Sequence, residues 1–254
     1  MLDIVQLPVQ NDNYIYLIRD SGSGETAVID PAEAGPVLSA LNQNRWRLDY
    51  VYNTHHHGDH VGGNIELKTK TGCRIVGAKR DRNRIPAIDI EVDEGDRIAL
   101  GGSEAKIIDV PGHTVGHIAY WFADSEALFC GDTLFALGCG RLFEGTAAQM
   151  WGSLGKFKVL PPQTRVYCAH EYTQANGRFA LTLDGNNAVL RDRMEEVTRL
   201  RKKGLPTVPS TLAEELDTNP FLRAGDSDIQ QSLGLAGENE VTVFTEIRKS
   251  KDRF

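Results

Sequence analysis

Four of the seven histidines fall in one short stretch, Thr54-His55-His56-His57-Gly58-Asp59-His60. Neutral imidazoles suit zinc or iron, and a carboxylate can join them. His55 and His57 are two apart, so extended backbone points both to one side. Gly58 lets the chain turn sharply, so Asp59 and His60 can face the same cavity from a second direction. The string H-x-H-x-D-H therefore offers two pairs of ligands to two adjacent metal ions. One ion with four protein ligands would be a closed structural site. Two ions sharing a carboxylate keep positions open for water and substrate. Further donors come from distant segments: His113 in Pro111-Gly-His-Thr-Val-Gly-His117, Asp132 in Cys130-Gly-Asp-Thr133, and His170 in Cys168-Ala-His-Glu171. Each is the first plausible ligand after a strand-like run. Any one of them alone would be read as a cap or a hydrogen-bonded loop residue; beside the string they become ligand candidates. His56 alternates away from its neighbours and His117 begins a strand, so both are read as structural or supporting.

These donors need strands to deliver them. Ile4–Leu7, Tyr14–Ile18 and Thr26–Ile29 read as strands, with Asp20–Gly24 as a hairpin turn. Pro31 can sit in the first turn of a helix running to about Asn42. Asp49–Asn53 is a strand that leads straight into the histidine string, and a helix from near Gly62 to Lys70 follows it. Arg74–Val76, Arg97–Leu100, Ala105–Val110, His117–Phe122, Ala127–Cys130 and Arg165–Cys168 are further strands, and Thr146–Val159 reads as a helix. The ligand candidates thus lie in strand-end loops, where α/β sheets place their sites. After Tyr172 strand-like runs disappear, and Leu190, Met194, Val197 and Leu200 recur at helical spacing. A last helix covers Glu240–Lys249. The pattern divides the chain into an α/β part, residues 1–172, and a helical appendage, residues 173–254.

Composition narrows the function classes. The 254 residues carry 28 Lys+Arg and 35 Asp+Glu, a formal charge of −7, with 41% hydrophobic and 25% charged residues. This is the balance of a globular protein with a real core, not of a disordered or fibrous chain. Net acidity argues against a nucleic-acid or anionic-membrane partner. Cys73, Cys130, Cys139 and Cys168 form no C-x-x-C pair and are too few for a disulfide scaffold, so reduced thiols and a cytoplasmic setting are expected. Cys130, in register with Asp132, reads as buried packing. The start, MLDIVQLPVQNDNY, lacks a signal-peptide pattern, and no apolar run is long enough to span a membrane.

T-H-H-H-G-D-H with P-G-H-T-x-G-H, G-D and A-H-E resembles the metallo-β-lactamase superfamily over roughly residues 1–172. Cys139-Gly-Arg-Leu-Phe-Glu-Gly145, Ala169-His-Glu-Tyr172, Asn219-Pro-Phe-Leu-Arg223 and Arg248-Lys-Ser-Lys-Asp-Arg-Phe254 are similar to the bacterial glyoxalase II, or hydroxyacylglutathione hydrolase, family over the whole chain. The resemblance implies an α/β fold, the four-layer αβ/βα sandwich of the metallo-β-lactamases with a C-terminal helical appendage. It implies a binuclear site: His55, His57 and His113 on one ion, Asp59, His60 and His170 on the other, Asp132 bridging. Zinc is the family's commonest metal, with iron or manganese also found, and nitrogen and oxygen donors without thiolate suit all three. In the family picture, a hydroxide bridging the ions attacks the thioester of an S-acyl-glutathione such as S-D-lactoylglutathione. Asp59 orients that hydroxide, and Asp59 and Asp132 are the catalytic carboxylates.

Glutathione carries two carboxylates, and the family binds them with cations. By motif these are Arg141, Arg248 and Lys251, with Tyr172 as a further contact. Phe143 stands where some family members have Tyr, so one hydroxyl contact is absent there. Arg248 and Lys251 are three apart and share a helix face if the last helix continues. The run Arg199–Lys203 reads as a solvated helix end. Asp30 has two readings, a hydrogen bond to a ligating histidine or a helix cap before Pro31. A persulfide dioxygenase shares H-x-H-x-D-H but would use one iron and oxygen; the basic C-terminal helix disfavours it. A lactonase or β-lactamase needs no such basic segment. A metal-binding regulator without turnover would not need a complete open ligand set. A small-molecule thioester is the expected partner, and a monomer the expected state.

Overall fold

A computed structural model describes residues Met1–Phe254. The chain condenses into two compact units, Met1–Asp109 with Val115–Gly131, and Val110–Thr114 with Asp132–Phe254.

The first unit begins with β1 (Leu2–Val9), β2 (Asn13–Asp20) and β3 (Thr26–Ile29), paired antiparallel in that order. Helix α1 (Ala34–Asn44) then crosses to β4 (Tyr50–Tyr52), parallel to β3. The segment after β4 holds a one-turn helix α2 (Gly58–Val61) and then α3 (Asn64–Thr71), where the sequence suggested one helix. Parallel strands β5 (Arg74–Ala78) and β6 (Ile90–Val92) complete the sheet. β6 has only Ile90 and Val92 as apolar residues, too little alternation to stand out. A second run follows: β7 (Arg97–Leu100), β8 (Ser103–Asp109), β9 (Ile118–Phe122) and β10 (Ala127–Gly131), antiparallel neighbours in chain order.

β2 is buried along almost its whole length because both its faces are covered. Ile15 and Leu17 join Val28, Val51 and Ile75 beneath Val37, Ala40 and Leu41 of α1. Residues of the opposite parity face the second run. Tyr16 meets Phe129 at 5.5 Å, and Tyr52 stacks on Tyr120 at 5.1 Å with 12° between the rings. The Tyr120 hydroxyl donates to Asn53 O at 2.9 Å, so its polar end is satisfied where burial raises the phenol's pKa well above normal. That bond ties the second run to the segment that enters the histidine string.

The second unit opens with a tight hairpin, β11 (Leu134–Phe135) and β12 (Gly138–Cys139), too short for sequence periodicity to reveal. Helix α4 (Ala147–Lys158) starts with a capping box from Thr146 and Gln149. β13 (Arg165–Cys168) leads to α5 (Thr173–Leu183) and α6 (Ala188–Lys202). A two-residue strand β14 (Ser210–Thr211) pairs with β13, so strands do not end entirely at Tyr172. α7 (Leu212–Thr218), α8 (Ser227–Ser232) and α9 (Glu240–Arg253) follow. Leu190, Met194 and Val197 of α6 pack with Leu137 and Ala180, as the helical spacing predicts. α9 extends one turn past the expected Lys249 and so carries both Arg248 and Lys251. No helix is long and apolar enough to cross a membrane.

Candidate metal centre

The first unit carries His55, His57, Asp59 and His60. Asp30, just after β3, adopts a left-handed backbone with φ 48°, and it is buried. Its Oδ1 accepts from Thr54 N at 2.8 Å, and its Oδ2 accepts from Thr54 Oγ1 at 2.6 Å and His60 Nδ1 at 3.0 Å. The carboxylate is therefore spent on the histidine segment. Helix α1 begins later, at Ala34 after Glu33, so Pro31 lies outside its first turn and Asp30 is no helix cap.

That carboxylate sets the proton order of two histidines. The His60 proton sits on Nδ1, toward Asp30, which leaves the Nε2 lone pair to bind a cation. Thr54 commits its hydroxyl proton to Asp30, so Thr54 Oγ1 must accept from His55 Nδ1, 3.1 Å away. His55 then also presents a bare Nε2. That atom lies 3.0 Å from His57 Nδ1, close to the spacing of neighbouring ligand atoms around an ion about 2.0–2.1 Å from each. The donor set thus fits a divalent metal. Thr54 acts through its hydroxyl, a role that the histidine spacing alone does not reveal. Gly131 permits the arrangement: it has φ 49°, and a Cβ there would come within 2.3 Å of Thr54 Oγ1.

Asp59 is half exposed, with Oδ2 3.6 Å from His60 Nε2. Asn13 Nδ2 donates to the same oxygen at 3.1 Å and so fixes which way the carboxylate faces. Asn13 is the buried first residue of β2, and no motif marks it. Gly58 does not make the anticipated sharp turn; it is the first residue of α2, with His57 as the N-cap. His56 turns away to Asp81, 3.0 Å from its Nδ1. His117 precedes β9, stacks on His55 at 4.5 Å and places Nδ1 3.0 Å from Ile118 O. Neither belongs to the groups of donor atoms that lie within 4.8 Å of one another.

The second unit carries His113, Asp132 and His170. Asp132 places Oδ2 3.4 Å from His113 Nε2 and Oδ1 3.4 Å from His170 Nε2. One carboxylate oxygen thus faces each imidazole. His113 Nδ1 donates to Arg141 O at 2.7 Å, which again puts the lone pair on Nε2. Tyr172 stacks on His170 at 4.8 Å with 2° between the rings, and Phe135 stands edge-on to both. Gly140 must lack a side chain, because a Cβ would lie 1.9 Å from Asp132 O.

The expected substrate contacts lie in this unit too. Arg141 is exposed, 5.7 Å from the centre of the Phe143 ring, and Phe143 is 60% exposed and edge-on to His113 at 5.1 Å. Lys251 lies over Phe179 and Phe254. Burial lowers its ammonium pKa, and the like charges of Arg248, Arg178 and Arg141 lower it further. Arg178, exposed on α5, joins this cationic group without a motif to announce it. Arg248 differs from the expectation of an open cation. It is 5% exposed, donates to Cys139 O at 2.8 Å, and holds Asp252 Oδ1 through Nε and Nη2 at 3.1 and 2.9 Å. Arg201, in the run read as a solvated helix end, reaches Glu171 at 3.5 Å.

All four cysteines are free and buried. Burial pushes the Cys139 thiol to about 11 and the Cys168 thiol to about 12. Cys130 is packing, as expected.

Comparison with known proteins gives two adjoining family matches. Residues 10–170 match the metallo-β-lactamase superfamily, and residues 171–254 match the hydroxyacylglutathione hydrolase C-terminus. A protein of Methylococcus capsulatus named hydroxyacylglutathione hydrolase is 61% identical, covering 100% of this chain and 99% of its own. One of Rhodospirillum rubrum with the same name is 56% identical over the same shares. The crystal structure of ETHE1 from Myxococcus xanthus is similar with TM-score 0.71 and 25% identity, covering 97% of this chain and 90% of that one.

Proposed function

We propose, from the premise that this chain belongs to the metallo-β-lactamase superfamily and within it to the hydroxyacylglutathione hydrolases, that it hydrolyses the thioester of an S-acyl-glutathione. S-D-lactoylglutathione would give D-lactate and glutathione, the second step of methylglyoxal detoxification. The reading is carried by Asp132, which offers one oxygen to each of two imidazoles whose far sides are pinned by the protein or covered by a ring. His and Asp donors of this kind support divalent metal binding. Two ions are proposed, grouped as the motif groups them: His55, His57 and His113; Asp59, His60 and His170; Asp132 shared. Zinc is proposed, with iron or manganese as alternatives that the same donors accept.

When bound, the ions lower the pKa of a water toward 7 and polarise the thioester carbonyl. The chain's own residues do the rest. Asp59, held by Asn13, accepts a hydrogen bond from the attacking water and aligns it. Asp30 and Thr54 set the tautomers of His60 and His55, with the proton on Nδ1 and the lone pair on Nε2. Tyr172 and Phe143 line the approach, and Arg141 and Lys251 attract the glutathione carboxylates, while Arg248, committed to Cys139 O and Asp252, contributes its charge to the same group. Water adds to the carbonyl carbon and gives up its protons to solvent, the C–S bond breaks to leave the carboxylate, and glutathione leaves as a thiolate, a good enough leaving group to need no strong acid. No side chain becomes acylated. In this division residues 1–172 supply the catalytic donors together with Arg141, Phe143 and Tyr172, and residues 173–254 add the substrate contacts of the last helix. Free thiols support a cytoplasmic setting, the acidic balance argues against a nucleic-acid or anionic-membrane partner, and a monomer is proposed.

The test is metal analysis of purified protein alongside hydrolysis of S-D-lactoylglutathione. Activity that disappears with a chelator and returns with zinc, iron or manganese is expected. Fully metallated protein without hydrolysis would refute the proposal, as would acylated protein in a quenched reaction.

A further inference from the structure

The hairpin of β11 and β12 is held in an uncommon way. Five consecutive residues each have a backbone polar group bound by a side chain from the helical region. Asn219 Nδ2 donates to Phe135 O at 3.1 Å and Gly138 O at 3.0 Å. Asn176 Nδ2 donates to Ala136 O at 3.1 Å. Glu215 Oε2 accepts from Leu137 N at 2.9 Å, and Arg248 Nη1 donates to Cys139 O at 2.8 Å. Leu137 sits at φ 59°, a backbone that a leucine does not adopt unaided. The clamps are themselves fixed: Glu215 and Asn219 are fully buried, bonded to each other at 2.9 Å, and Glu215 is paired with Arg193.

The hairpin carries the neighbours of three ligands. It begins two residues after Asp132. Its Phe135 ring braces His170 and Tyr172. It ends two residues before Arg141, whose carbonyl fixes the His113 proton. A shift of the hairpin therefore moves Asp132, loosens His170 and releases His113 together.

We infer that Asn219, Glu215 and Asn176 are positioning residues for the metal centre. The helical region then builds the second unit's ligand set as well as meeting the substrate, an inference that rests on the metal-binding role proposed above. Loss of groups that orient ligands weakens metal binding roughly 10- to 100-fold. Asn219→Ala removes the donor to two carbonyls at once. Its Zn²⁺ affinity, measured by competition with a chromophoric chelator, is expected to fall by that factor. Amide exchange at Leu137 should quicken in the metal-free protein, and kcat should fall while KM stays within about twofold. Asn176→Ala removes a single bond and remains usable if Asn219→Ala does not fold; a drop in Zn²⁺ affinity of roughly 2- to 10-fold is expected. Parent-like Zn²⁺ affinity and Leu137 exchange in a folded variant would overturn the inference, even with a lowered Tm. A parent protein that takes up no zinc would instead defeat the metal reading itself.

Discussion

Asp30→Asn tests the proton order of the histidines with almost no change in volume. The carboxylate accepts three hydrogen bonds, from Thr54 N, Thr54 Oγ1 and His60 Nδ1. An amide can keep Thr54 N on its oxygen, but its nitrogen then faces two groups that also donate. His60 relieves the conflict by moving its proton from Nδ1 to Nε2 and accepting from the amide. The proton then sits on the atom that must bind the cation. Binding requires that proton to return to Nδ1, with a buried donor left unmade at about 1–3 kcal/mol, or roughly 5- to 150-fold in metal affinity. Thr54 Oγ1 loses its acceptor as well, so the His55 tautomer relaxes too. The assays are metal affinity by competition titration and ¹⁵N chemical shifts of the two imidazoles in the metal-free protein. Affinity within about twofold of parent, with both histidines still protonated at Nδ1, would refute the proposed proton order.

The two cations of α9 should separate by role. Lys251→Ala should raise KM about tenfold with kcat little changed, since only the remote end of the substrate is touched. Arg248→Ala should lower kcat and Tm as well, because Cys139 O and Asp252 lose their donor; equal effects of the two substitutions on steady-state kinetics would contradict this. Phe143→Tyr adds a hydroxyl to an exposed ring and should lower KM by roughly 2- to 10-fold, the worth of one hydrogen bond; an unchanged KM would mean the ring does not meet the substrate. Asp20 concerns stability. The Ser23 amide, with Gly102 N and Ser103 Oγ, holds its carboxyl well below the usual range. A depressed folded pKa gives stability that is present above the unfolded value near 4 and lost as pH falls through the folded one. Asp20→Asn should therefore lower Tm at pH 7, and the gap should narrow below about pH 4; a gap independent of pH would be the wrong result.

The donor candidates were legible in the sequence because histidines are few and cluster, with Asp59 and Asp132, in segments that follow strands, and strand ends follow from apolar alternation. The parts that were not legible are contacts across long stretches of chain. Asp30 could be read two ways, and only its left-handed backbone and the return of Thr54 and His60 to its carboxylate decide between them. The clamps on the hairpin join residues such as Leu137 and Glu215, 78 positions apart, through backbone groups that carry no sequence signal. Arg248 was identified by type and position, but type could not tell that its guanidinium is already occupied. Two-residue strands such as β11, β12 and β14 lie below the length at which alternation can be counted.

The burial of the cysteines has a consequence for how the protein coexists with its proposed product. Glutathione is itself a thiol, and its disulfide exchanges with protein thiolates. A thiol raised to about 11 or about 12 leaves only about 10⁻⁴ or less as thiolate at neutral pH, and burial blocks collision as well. Cys139 lies beside Arg248, at the very edge of the cationic group. There a solvent-exposed thiol, its ionisation favoured by the guanidinium, would become a site for mixed disulfides. By keeping all four sulfurs inside, the fold keeps the enzyme chemically inert toward the redox state of the pool it feeds, so catalytic output should follow substrate supply rather than the ratio of reduced to oxidised glutathione.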